Sequence, residues 1–109
     1  MIFTTTNTVE GREISEYIRI IGGETVIGIN FLKDIGAAFR NLSGGRSAGY
    51  EEETVRAREA ALNELWQRGQ ELGADAVVGI AVDYSTMGAS NDMLMVSCTG
   101  TAVRLKPLS

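Results

Sequence analysis

At 109 residues with 44% apolar side chains, the chain fits one domain, 1–109, with enough apolar surface to bury a core. A net charge of −4 and a pI near 4.8 argue against nucleic acid as a partner, because affinity for phosphates needs a basic surface that releases counterions. The longest apolar run, Ala76 to Val82, is far shorter than the roughly 18 residues of a bilayer span, so no membrane association is expected.

The chain starts Met1-Ile2-Phe3-Thr4-Thr5-Thr6, with no basic segment leading into an apolar stretch and hence no visible export signal. Residues 12–29 are rich in β-branched side chains, which predicts one long strand, or two interrupted at Gly22-Gly23 by a bulge or turn. A short helix is expected next. Phe31, Leu32, Ile35, Ala38, Phe39 and Leu42 share one face at helical spacing, Asn30 suits the N-cap, and Ser43-Gly44-Gly45 ends it.

From Tyr50 to Leu72 strong helix formers dominate. Val55, Leu62, Leu65, Trp66, Gly69 and Leu72 form the expected apolar stripe, and Gly73 is the expected stop. Glu51, Glu52 and Glu53 sit in the first turn, where the helix dipole favours anions. Ala76 to Tyr84 reads as a strand covered on both faces, and Ser85 to Asp92 as a turn region. The last strand, Met93 to Leu105, turns Met93, Met95, Thr99, Thr101 and Val103 one way and Leu94, Val96, Cys98, Gly100 and Ala102 the other. Both of its faces are apolar or small. One long helix covers a single face of a small sheet, so the short helix or a neighbouring copy must cover the second, and a symmetric homo-oligomer is the more economical solution.

The chain contains no histidine. Ser-His-Asp and Cys-His catalysis and the usual His-containing zinc sites are therefore absent, and no carboxylate, Lys or Tyr pair stands at a diagnostic spacing, so a non-enzymatic protein is expected. The single cysteine, Cys98, cannot form an internal disulfide, which together with the start of the chain favours the cytoplasm. It reads first as a small core side chain. Symmetry in a ring could instead gather several copies of it around a thiophilic ion. Met87, Met93 and Met95 add soft ligands, but strand parity turns Met93 and Met95 away from Cys98. Gly44, Gly45, Arg46 and Ser47 lead into the long helix and could hold an anion on backbone N–H groups and the guanidinium. The competing reading pairs Arg46 with Glu51, Glu52 or Glu53. Trp66 lies on the apolar stripe and is expected to pack in the core.

Taken in order, Gly44-Gly45-Arg46-Ser47 with Tyr50-Glu51, then Ala57-Arg58-Glu59-Ala60-Ala61-Leu62, Leu72-Gly73-Ala74-Asp75-Ala76-Val77-Val78-Gly79 and Gly100-Thr101-Ala102-Val103 resemble the YbjQ-like family of small prokaryotic proteins. The resemblance covers nearly the whole chain. It implies an α+β, dodecin-like subunit, a small sheet packed on one long helix plus a shorter one, assembling as a ring-shaped homo-oligomer, with a pentamer as the usual unit and stacked rings as a further level. The family's heavy-metal-binding label implies a heavy-metal ion as the cofactor, for which Cys98, Asp83 and Asp92 are the candidate ligands here. It brings no catalytic residues with it. The motifs also have scaffold explanations: Leu72-Gly73-Ala74-Asp75 turns helix into strand, and Gly100-Thr101-Ala102 keeps a strand slim where something approaches closely.

Overall fold

The computed structural model describes residues 1–28, 48–87 and 93–108. The predicted short helix from Phe31 to Leu42, the loop Gly44–Ser47 and Asp92 lie outside them. The fold is α+β: β1 (Ile2–Phe3), β2 (Ile14–Gly28), α1 (Ala48–Glu71), β3 (Ala76–Met87) and β4 (Met93–Leu105), with a mixed four-stranded sheet in the order β1-β3-β4-β2. Strand β4 runs antiparallel to both β2 and β3, so β2 and β3 point the same way, while β1 runs parallel to β3. Among the described residues no helix is long and apolar enough to cross a membrane.

Of the two readings of residues 12–29, one long strand is the one that forms, without a break at Gly22-Gly23. Strand β2 passes through the pair with unchanged register from Arg19 to Gly28, and its irregularities fall earlier, between Ile14 and Glu16 and between Tyr17 and Arg19. The glycines have a packing role instead. A Cβ on Gly23 would lie 2.3 Å from the Ala61 carbonyl oxygen and 3.0 Å from the Leu65 nitrogen. Gly23 is the point where the helix backbone rests on the sheet.

That close approach explains how α1 buries its seam. Ala57, Ala61 and Leu65, four residues apart, are buried, and Leu62, Trp66 and Leu72 are half-buried beside them. Val55, assigned to the stripe from spacing, is instead 43% exposed. Small residues win the central positions because a larger side chain would hold the helix off Gly23. The sheet contributes Ile21, Val77, Ile80, Val96, Cys98 and Ala102 to the same core. Phe3 closes one side, its ring 5.0 Å edge-on from Trp66.

The C-terminus of α1 ends as its sequence indicated. Gly73 is left-handed at φ 69°; its N–H donates to the Gln70 carbonyl at 3.0 Å and that of Ala74 to the Gly69 carbonyl at 3.0 Å, the paired bonds of a Schellman motif. Asp75 then ties the turn to the sheet. Its carboxylate accepts from the Leu105 N–H at 2.8 Å, and its carbonyl accepts from the Ile2 N–H at 3.0 Å.

One bulge reorganises β3. Val78 pairs with Thr101 but Ala81 pairs with Thr99, so Gly79 and Ile80 together face Gly100. Gly79, at φ 62°, donates its N–H to the Thr6 carbonyl at 2.8 Å, and Ile80 to that of Thr4 at 3.2 Å. Val77 and Ile80 are thereby both brought to the helix side, into space that Gly100 leaves free: a Cβ there would be 2.6 Å from Val77 Cγ1.

Among the described residues, the face away from α1 is covered at one end only. Val9, from the segment before β2, and Ile14, the first residue of β2, pack there on Ala76, Val78, Val103 and Leu105. This cover comes from the chain itself and was not foreseen. Beyond the bulge, Ala81, Asp83 and Tyr84 are exposed, so β3 is buried on both faces only over Ala76–Val78.

Candidate functional site

The candidate residues do not converge. Cys98 lies on β4 facing α1, directly opposite Gly23 in the register and almost fully buried. Its sulfur is 3.2 Å from the Ala61 carbonyl oxygen and 3.5 Å from that of Gly23, so its one S–H donates to either. Burial pushes the thiol above its ordinary pKa, a backbone hydrogen bond from Gly23 opposes this, and the charges of Glu24 and Glu64 reinforce it. The environment favours a protonated, unreactive thiol rather than a thiolate ligand. Folding stability linked to this group is full below the thiol's ordinary pKa and is lost as the pH climbs through the raised one. We expect native protein at pH 7.5 to label with a thiol reagent at least about tenfold more slowly than unfolded protein; equal rates would show that the sulfur is accessible.

Asp83 pairs with Ser97, on the face opposite Cys98. Across the same row Ser97 pairs with Glu24, which puts Glu24 and Asp83 two strands apart, about 10 Å. Among the described residues no group of three or more Cys, Asp or Glu side chains stands close enough to hold a metal ion. The residues described here do not fit a heavy-metal site. Met93 and Met95 also lie across the sheet from Cys98, as strand parity required.

The acidic start of α1 has its own partner: Arg56 pairs with Glu53 at 3.2 Å and Glu52 at 3.5 Å. Arg46 lies outside the described residues.

A more distinctive feature is the half of the sheet face away from α1 that no other described residue covers. Tyr17, Ile20 and Val26 of β2 are 68%, 72% and 49% exposed. In the register they stand beside Val103, Thr101 and Met95 of β4, whose odd-numbered positions face away from α1. Met93 continues the row opposite Gly28. Tyr17 and Ile20 form one apolar patch on this face, and Val26 with Met95 and Met93 another, with the polar row Glu24, Ser97 and Asp83 between them. The signal was present in the sequence as two apolar faces of one strand. The residues carrying it on β2 were not singled out, because their parity depends on the irregular pairing between Tyr17 and Arg19.

Two grooves flank the sheet on the helix side. Beside β2, a groove of about 330 Å³ is formed by Arg19, Ile20, Ile21 and Gly22 with Arg68, Glu71 and Leu72. Arg68 donates to the Gly22 carbonyl oxygen and pairs with Glu64. Beside β3, a groove of about 240 Å³ lies between Phe3, Leu62, Ile80 and Val82.

Comparison with known proteins adds the family. A family model described as "Putative heavy-metal-binding" matches residues 1–106. A UPF0145 protein of Corynebacterium jeikeium is 58% identical over 103 residues, spanning 94% of this chain and 97% of its own length. One of Listeria grayi is 57% identical over 103 residues with the same coverage, and one of Listeria monocytogenes serotype 4a is 53% identical over 94% of each chain. Among solved structures, a protein of unknown function from the DUF74 family of Pediococcus pentosaceus is similar with a TM-score of 0.63 over 97% of this chain and 98% of that one, at 13% identity. At that identity the likeness speaks for the fold alone.

Proposed function

The chain belongs to the YbjQ-like family, and we propose that this member is a self-associating, non-enzymatic binding or scaffold protein of the cytoplasm. In this reading its copies close a ring around the bare half of the sheet. The observation that carries it is the exposure of Tyr17, Ile20 and Val26 on one face, a surface a lone subunit would present to water at a cost in solubility. Five copies is the number the family resemblance implies. Rings stacked face to face would enclose the surface further.

The apolar patches at the two ends of that face, Tyr17 and Ile20 at one and Val26 with the thioethers of Met93 and Met95 at the other, suit a small apolar ligand more than an ion. The metal reading draws no support from Cys98, whose sulfur is shut beneath its own subunit's helix. Nor do the described residues pair a nucleophile with a base. Sedimentation velocity at micromolar concentration tests the proposal. A single assembled species is expected, and a well-folded monomer would overturn it.

A further inference from the structure

Resting on that self-association reading, we infer that the copies join edge to edge: the outer edge of β2 takes the open outer edge of β3 from a second copy. Four observations lead there. The first is that both edges are free in the described residues. Strand β2 ends the sheet, and on the far side β1 pairs only with Ala76 and Val77. After Thr4 and Thr6 have accepted from Ile80 and Gly79, β3 runs on from Ala81 to Met87 with β4 on one side alone.

The second is sequence character. Gly23 to Gly28 reads Gly-Glu-Thr-Val-Ile-Gly and Ala81 to Met87 reads Ala-Val-Asp-Tyr-Ser-Thr-Met, each with one charge and neither with proline. Edges meant to stay open are guarded by bulges, lysines or prolines. The irregular pairings of this sheet fall outside these two stretches, between Ile14 and Arg19 and between Val78 and Ala81.

Geometry is the third. Gly22–Gly28 and Ala81–Met87 flank the same stretch of β4, Met93–Thr99, and both run antiparallel to it. Two free edges at one level and in one direction are superposed by rotation about an axis along the strands. The contact is heterologous, and such a rotation builds a ring when it closes. A closing sheet also staggers its strands. With no stagger, Glu24 of one copy would lie beside Asp83 of the next. A shift of two residues keeps every side chain on its own face and sets Asp83 beside Gly22 instead.

The last is what that stagger brings to the groove. Tyr84 pairs with Val96, so it stands on the helix side of β3, yet 46% of it is exposed because α1 lies over β2 and β4. In the staggered pairing it sits beside Gly23, which offers no side chain, and against the Arg68 guanidinium at the mouth of the groove. Val82 falls over Ile21. The groove's apolar floor, Ile21 and Leu72, and its charged rim, Arg19, Arg68 and Glu71, match a phenol ring with a polar tip that stacks on a guanidinium.

Tyr84→Arg tests this directly, since it sets a third cation against Arg19 and Arg68 while altering an exposed position. Assembly should then require at least about tenfold more protein, with circular dichroism unchanged. Backbone amides of Gly23–Gly28 and Ala81–Met87 should exchange faster than in the wild-type assembly. Asn63→Arg, on the solvent side of α1, should assemble normally. An intact assembly of Tyr84→Arg, with exchange at both edges as in wild type, would overturn the edge contact and leave self-association standing. A monomeric wild type would overturn both.

Discussion

Gly23→Ala should lower folding stability by about 3 kcal/mol, the upper part of the range for overpacking a close contact, although the substitution adds one methyl group. The new Cβ has no side chain to push aside: its neighbours are the Ala61 carbonyl oxygen at 2.3 Å and the Leu65 nitrogen at 3.0 Å, both helix backbone. The helix must lift, and lifting it loosens Ala57, Ala61 and Leu65 together. Gly22→Ala is the matched control. Its Cβ would point to the opposite face, 3.3 Å from the Cys98 carbonyl oxygen, and the lost flexibility of the unfolded chain offsets part of any crowding, so a change within about 1 kcal/mol is expected. Thermal melts at one fixed protein concentration, needed because assembly itself shifts the midpoint, should separate the two by roughly 10 °C or more. Equal midpoints would remove the claim that Gly23 seats the helix.

Leu65→Ala comes second in size. Leu65 is fully buried at the centre of α1, and truncation there removes its transfer energy and leaves a cavity between helix and sheet, about 3 kcal/mol in all. Val55→Ala, at a position 43% exposed, should cost less than about 1 kcal/mol. Denaturant midpoints would distinguish this ordering from the one that residue type and helical spacing alone suggest, in which the two positions are equivalent.

The contrast between Val55 and Leu65 shows what the sequence made legible. The long helix, its glycine stop, the last strand and the division of that strand between two faces all follow from local periodicity and turn chemistry. They depend on few residues and on no distant partner. Three features do depend on distant partners. The two-residue strand Ile2–Phe3 exists because β3 offers it an edge. The pair Gly22-Gly23 leaves one strand and two as equal local readings because glycine weakens isolated strands, whereas its purpose appears only once Ala61 is set above it. The bulge at Gly79 reverses the facing of β3 midway, so a period-two reading carried through from Ala76 assigns the second half to the wrong side.

The candidate ligands divide in the same way. Cys98 as a small core side chain could be read from its neighbours Val96 and Gly100, and the structure adds the two carbonyl oxygens around its sulfur. Asp83 was chosen as a carboxylate in a strand pattern, and only the register shows it across the sheet from Cys98, two strands from Glu24. The exposed apolar face was legible as a surplus of apolar faces, without the identity of Tyr17, Ile20 and Val26.

Native mass spectrometry of protein purified without chelators and without a histidine tag tests the central claim most directly, because subunit count and retained mass are read together. The account predicts one closed assembly of a single stoichiometry, five copies by the family resemblance, with no metal mass bound in proportion to the subunits. A monomer at micromolar concentration would contradict it, and an assembly carrying stoichiometric metal would return the candidate ligands to the centre of this protein's function.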